Sequence, residues 1–229
     1  MTGTRHLCLI PAKQGSTRFP KKNIARLGNR SLLQWTFDIA RETNLFDTIA
    51  LSTEGSAVAQ HGHEIGIQYI IDRPRELARD PAGIVDVALH AVDHFKSQNS
   101  NFDVLTILAP CSPLRTAADI HAAFTLYEEN PGYFVMSVSE FSHTPFAALE
   151  LSNDQTLKPF FPEHFGRKSQ EMPKAYRPNG AIHVVGIDRL RAEHSYVASP
   201  VIGYEMPQER AVDIDNPLDL AVAEALLLK

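Results

Sequence analysis

Short apolar runs alternate with helix-length amphipathic stretches along most of this chain, and few folds accept that rhythm. "HLCLI" (6–10), "TIALS" (48–52), "IQYII" (67–71), "VLTILA" (104–109), "YFVMSVS" (133–139), "AIHVV" (181–185) and "VIGYEM" (201–206) read as buried strands, with "AVDI" (211–214) as a last one. Between them, "SLLQWTFDIARET" places Leu32, Leu33, Trp35, Phe37, Ile39 and Ala40 at helical spacing. "EGSAVAQHGHEIG" and "GIVDVALHAVDHFK" read as two further helices. Thr116 and Asp119 stand at capping-box spacing before a helix at 116–129, and a C-terminal helix begins near Pro217. Strands alternating with helices of this length predict an α/β fold: three layers, α/β/α, around a mostly parallel sheet.

The 229 residues suit one domain, 1–229, with a sizeable core. Periodicity fails between about 144 and 178, where prolines punctuate a segment carrying Phe160, Phe161, Phe165 and Tyr176. Aromatics are costly to leave in water, so this excursion is expected to be a lid or a dimerisation element. A net charge of −5 argues against binding nucleic-acid polymers. Cys8 and Cys111 have no metal or disulfide spacing, and no apolar run is long enough for a secretory core or a membrane span. A cytoplasmic protein without membrane contact is the expectation.

Against that acidic background, "IPAKQGSTRFPKKN" (10–23) stands out. From Lys13 to Arg30 the chain holds Lys13, Arg18, Lys21, Lys22, Arg26 and Arg30 and no carboxylate. The stretch follows the first strand, and ligands of open α/β sheets bind outside the carboxyl ends of strands. Gly15 allows backbone amides to turn toward an anion while the cations supply charge, which suits a phosphate chain; a solvated basic surface is the alternative. The pattern is neither G-x-G-x-x-G nor G-x-x-x-x-G-K-[ST].

Near the other end, Asp213 and Asp215 alternate with Val212 and Ile214, so on a strand both carboxylates share one face. A hard cation such as Mg²⁺ is commonly held by one or two carboxylates together with substrate phosphates. Capping the last helix is the competing duty, but Asn216, Pro217 and Asp219 fill it.

These residues also carry a resemblance. "IPAKQGSTRFPKKN" is similar to the N-terminal signature of the cytidylyltransferases that activate sialic acid and related nonulosonic acids, legionaminic and pseudaminic acids among them. The resemblance implies a Rossmann-like nucleotidyltransferase sheet, and nucleotide contacts from Pro11, Ala12, Lys13, Gly15, Ser16, Arg18, Lys22 and Asn23. "VDIDNPLDL" (212–220) resembles the segment whose two aspartates hold the catalytic metal, which would make Asp213 and Asp215 ligands of Mg²⁺ and, with Lys13 and Lys22, the catalytic set. "DRPRELARDPAG" (72–83) is similar to the family's base-pocket segment, implying roles for Arg73, Asp80, Ala82 and Gly83. "LAPCSPLR" (108–115) and "YRPNGAIHV" (176–184) resemble segments of its sugar site, implying roles for Ala109, Arg177 and Asn179. Five positions depart: Lys13 replaces the usual arginine and loses its bidentate fork, Ala109 replaces a glutamine that contacts the sugar, and Pro81, Gly83 and Ile84 stand where Thr, Ser and Ser are common, so base contacts lean on the backbone.

The implied reaction is attack by the anomeric hydroxyl of a nonulosonic acid on the α-phosphate of CTP, releasing pyrophosphate, in a homodimer. The alternatives are a cytidylyltransferase for another keto-acid sugar, such as a 3-deoxy-octulosonic acid, and a non-catalytic nucleotide-binding module. His90 and His94 lie four apart on a helix without a third ligand, as surface residues would, and Cys111 has no triad to make it a nucleophile.

Overall fold

The computed structural model describes residues 4–16 and 18–228. β1 (His6–Pro11) leads through the basic loop to a small hairpin, β2 (Arg26–Leu27) and β3 (Arg30–Ser31), and on to α1 (Leu32–Glu42). Then come β4 (Thr48–Thr53), α2 (Ser56–Glu64), β5 (Tyr69–Asp72), α3 (Ile84–Ser97) and β6 (Val104–Ile107). They are followed by α4 (Ala117–Glu129), β7 (Phe134–Glu140) and a second hairpin, β8 (Leu149–Leu151) with β9 (Leu157–Pro159). β10 (Tyr176–Gly186), α5 (Ile187–Glu193), β11 (Val201–Glu205) and α6 (Pro217–Leu227) complete the order.

Seven strands form one sheet in the order β11-β7-β10-β6-β1-β4-β5. β10 runs antiparallel to both its neighbours and every other pairing in that sheet is parallel. The α/β expectation therefore holds. β1 shows why the sheet must be covered on both sides: Leu7 and Leu9 belong to one buried cluster, with residues of α3 and α5, while Cys8 and Ile10 belong to another, with residues of α1, α2 and α4. Alternate side chains of a strand leave by opposite faces, so a strand apolar at every position needs two helical layers. Ser31 caps α1 by accepting from the Gln34 amide, and the capping boxes read at Thr116–Asp119 and Asn216–Asp219 both form.

Two expectations are corrected. No strand occurs at 211–214: the segment runs alongside the loop after β6 and is tied to it by one backbone bond, from the Ile214 amide to the Cys111 carbonyl at 2.8 Å. The short helix α5, which buries Ile187 and Leu190, is an addition. Pro178-Asn179-Gly180, a turn signal in isolation, lies inside β10 as an irregularity: the pairing with β7 shifts register between Pro178 and His183, and Gly180 takes φ +72°. Such bulges re-aim side chains beside functional sites, and glycine tolerates the left-handed backbone. The 144–178 excursion carries β8, β9 and the first residues of β10, and leaves Leu151, Leu157, Phe160 and Phe165 exposed.

Candidate active site

β1, β4, β5 and β6 end on one edge of the sheet, and because β10 is antiparallel, its beginning returns to the same edge. There a cavity of about 320 Å³ opens between three segments that are remote in sequence. The basic loop contributes Pro11, Lys13, Ser16, Lys22 and Asn23. The segment after β5 contributes Arg73, Asp80, Ala82 and Gly83, and the segment after β6 contributes Ala109 and Cys111. Leu77, Ile84 and Val87 give the wall apolar patches between the charges. Of the other residues singled out in the sequence, Ala12 is buried beneath the loop, while Gly15, Arg18, Arg177, Asn179, Asp213 and Asp215 lie outside this lining.

The loop is held from within. The buried Asn23 side chain donates to the Lys13 carbonyl at 2.7 Å, tying the two ends of the basic stretch together. Phe19 packs with Leu27, Leu32, Val212, Ile214 and Leu220 in a small cluster that joins the loop to α6. That cluster takes Val212 and Ile214, so the alternation expected of Asp213 and Asp215 is realised without a sheet ladder.

Asp215 meets the loop directly. Its carboxylate accepts from Lys22 Nζ at 2.8 Å and from Arg18 Nη2 at 2.6 Å, and the Lys22 bond is the main reason its pKa falls below the ordinary carboxylate value. Asp219 Oδ2 accepts from the Asp215 amide at 2.8 Å and so pins its backbone. Asp213 lies close enough to Cys111 to act on its thiol: burial first, then the Asp213 carboxylate, pushes that thiol up to about 12. Cys111 is thus a neutral thiol at physiological pH, as the lack of a triad suggested. Two carboxylates with hard oxygen donors fit Mg²⁺ shared with phosphates. Among the described residues, no group of three or more His, Cys, Asp or Glu could hold a metal alone.

Three residues that the sequence reading did not assign to the site shape it. Arg115 is fully buried, and its guanidinium donates to the Ala181 carbonyl (2.6 Å), the Thr36 hydroxyl (2.7 Å) and the Ala109 carbonyl (2.5 Å). It thereby fixes the main chain of the cavity wall to β10 and α1. Glu54, just beyond β4, accepts from the amides of Gln14 (2.8 Å) and Gly15 (3.4 Å). Its place outside a strand's carboxyl end was the available signal. Asp119 does more than cap α4: it also accepts from Tyr204 and from both Nε and Nη2 of Arg210, anchoring the segment that leads to Asp213.

The two sugar-site residues on β10 differ in availability. Arg177 is exposed, opposite Ser139 of β7. Asn179 is buried; its Oδ1 accepts from Ser137 Oγ (2.5 Å) and the Ala181 amide (3.2 Å), and its Nδ2 donates to Ser139 Oγ (2.9 Å). Only one amide hydrogen is left for a ligand.

The chain is similar over most of its length to several known proteins. A pseudaminic acid cytidylyltransferase of Campylobacter jejuni is 26% identical over 223 residues, covering 97% of this chain and 96% of its own. An N-acylneuraminate cytidylyltransferase of Escherichia coli O18:K1:H7 is 26% identical over 221 residues, 96% of this chain but 51% of its own. A solved structure of a CMP:2-keto-3-deoxy-manno-octonic acid synthetase complexed with CTP superposes with a TM-score of 0.71 at 16% identity, covering 98% of this chain and 99% of its own, and so shares the fold. The family model described as cytidylyltransferase matches residues 7–202, most of the length of the chain: this is a nucleotidyltransferase, and the chain belongs to the cytidylyltransferase family.

Proposed function

We propose that the chain transfers CMP from CTP to the anomeric hydroxyl of a nonulosonic acid, giving the CMP-sugar and pyrophosphate. The names of the two relatives support this substrate class. The observation that carries the mechanism is the contact of Lys22 and Arg18 with Asp215, which brings the cationic loop and the carboxylate pair to one edge of the sheet. In that contact Asp215 occupies the cations with its own carboxylate; an incoming phosphate chain competes for them and frees Asp215 oxygens. Lys13 and Lys22 then stabilise charge that builds on the α-phosphate and on the leaving pyrophosphate. Asp213 and Asp215 are the residues that would hold Mg²⁺, which when bound neutralises phosphate charge and lowers the pKa of the attacking hydroxyl. The cytidine half is assigned to the 320 Å³ cavity, with Arg73, Asp80, Ala82 and Gly83 as its floor. Arg73 suits that duty because its guanidinium is fixed, donating to Ser52 Oγ at 3.1 Å and to the Ser52 carbonyl at 2.7 Å. Ala109, Arg177 and Asn179 are assigned to the sugar.

One catalytic domain over 1–229 is part of the same reading, with the exposed apolar residues of 144–178 used as a lid or to pair two copies in a homodimer. We place the protein in the cytoplasm; no helix among the described residues is long and apolar enough to cross a membrane. The deciding experiment measures pyrophosphate release from each of the four nucleoside triphosphates, with sialic-type and octulosonic acids, with and without Mg²⁺. Release confined to CTP, a nonulosonic acid and Mg²⁺ is expected, and Asp213→Asn or Asp215→Asn should abolish most of it while leaving the circular dichroism spectrum intact. Release with none of the pairs refutes the proposal, and near-normal turnover of either variant removes that aspartate from the metal site.

A further inference from the structure

The buried carboxamide of Asn179 sits where β10 is irregular, and the groups around it settle which of its ends is which. A main-chain amide can only donate, so the atom 3.2 Å from the Ala181 nitrogen is Oδ1. A main-chain carbonyl can only accept, so the single hydroxyl hydrogen of Ser139 is committed to the Met206 carbonyl at 3.1 Å. Ser139 Oγ therefore meets the carboxamide as an acceptor, and the end it meets at 2.9 Å is Nδ2. Ser137, two residues earlier on β7, completes the arrangement: its Oγ accepts from the Ile182 amide at 2.8 Å and gives its hydrogen to Asn179 Oδ1 at 2.5 Å. Both serines are fully buried, so bulk solvent is no alternative partner for either hydroxyl. The two lone pairs of Oδ1 are then used by Ser137 and Ala181, and one hydrogen of Nδ2 is used by Ser139. One N–H is left, with no acceptor among the described residues. Arg115 joins this support to the cavity wall, since its guanidinium donates to the carbonyls of both Ala181 and Ala109.

We propose that Ser137 and Ser139 are positioning residues for substrate recognition: by fixing the Asn179 carboxamide in one orientation they make it a donor only, so that it selects an acceptor oxygen on the sugar. The proposal rests on the CMP-transfer reading, which assigns Asn179 to the sugar, and adds what gives that contact its polarity. An unrestrained asparagine turns its amide over and meets either kind of partner, because its two ends are nearly alike in shape. Turning it over here sets Nδ2 against the Ala181 amide, donor facing donor. It also sets Oδ1 against Ser139 Oγ, whose hydrogen is already spent on Met206, acceptor facing acceptor. Both conflicts fall in a buried place, where unpaired polar groups are costly. The serines act through Asn179, since the protein itself consumes their hydroxyl hydrogens. A sugar that offers an N–H or a hydroxyl hydrogen at this point finds no lone pair to receive it.

The test is steady-state kinetics of Ser137→Ala and Ser139→Ala in the full chain, with CTP, Mg²⁺ and N-acetylneuraminic or pseudaminic acid, whichever the wild type turns over. KM for the sugar should rise about three- to tenfold in each variant, with kcat and the KM for CTP held within about twofold. A merely structural role would move all three constants together. A second measurement needs no turnover. The two side-chain amide protons of Asn179, assigned by NMR through their loss in Asn179→Asp, should exchange with water at rates about tenfold or more apart in the wild type and at similar rates in Ser139→Ala. The inference is overturned if the sugar KM changes by less than about twofold in both variants, if the KM for CTP rises in step with it, or if the two protons exchange alike in the wild type. Unequal protons that depend on Ser139, in a chain that transfers CMP to no acid sugar, would instead refute CMP transfer and leave the donor-only carboxamide standing.

Discussion

Asp119 offers the sharpest energetic test of how the site is held. The residue is 1% exposed, and its carboxylate accepts from the Thr116 amide and hydroxyl (both 2.8 Å), the Tyr204 hydroxyl (2.8 Å), and Arg210 Nε (3.0 Å) and Nη2 (2.8 Å). Asp119→Asn keeps the shape but replaces one acceptor oxygen with an NH₂ that must face donors. Losing one partner of a buried charge pair costs about 3–5 kcal/mol, and since the Arg210 side chain is 36% exposed, solvent screening brings the expectation to the low end, about 3 kcal/mol. At about 2–4 °C per kcal/mol for a protein of this size, the melting temperature should fall by about 6–12 °C. The pH dependence has a definite sign. Burial alone would raise the Asp119 pKa, but Arg210, Thr116 and Tyr204 together outweigh it and the net shift is downward. The carboxylate's contribution is then fully present above the ordinary value of about 4 and is lost as pH falls through the lower folded value. Urea unfolding of both proteins from pH 8 to pH 3 should show a constant gap at neutral pH that closes below about pH 4. A gap under about 1 kcal/mol at pH 7, or one that persists unchanged in acid, would show that this carboxylate does not anchor the segment leading to Asp213.

Two further outcomes follow from the geometry of the loop and its surroundings. With its thiol pushed up to about 12, Cys111 should react with a thiol reagent at pH 8 far more slowly than a free cysteine and quickly after denaturation; rapid labelling of the folded chain would contradict its burial against Asp213. Gly55→Ala would place a methyl group 2.4 Å from both Cβ and Oε1 of Gln14, so the loop must move; we expect a loss of about 1–3 kcal/mol in stability and about tenfold in CTP affinity by calorimetry, and unchanged CTP binding would uncouple that contact from the phosphate cradle.

Much of the fold was legible because its signals are local. The alternation of β1 side chains, the caps at Thr116 and Asn216, and the cation-rich stretch after the first strand can each be read within a dozen residues. What escaped depends on contacts distant in sequence. The Ala211–Ile214 stretch has the apolar alternation of a strand, but its partner is one carbonyl at Cys111, and no local pattern says whether a ladder forms. Asn179 reads as a turn residue or a ligand until Ser137 and Ser139, some forty positions away, are seen to use its amide. Glu54 is unremarkable between Thr53 and Gly55, and its hold on Gln14 and Gly15 appears only when β1 and β4 are paired.

The three bonds of Arg115 have a consequence for how freely the cavity wall can vary. Two of its acceptors, at Ala109 and Ala181, are main-chain carbonyls, atoms every amino acid possesses, and the third is the Thr36 hydroxyl. The cavity wall at position 109 is therefore tethered independently of whatever side chain projects from it. A residue there can be exchanged, alanine for a longer polar group or the reverse, with the main chain and the sheet beneath it held in register.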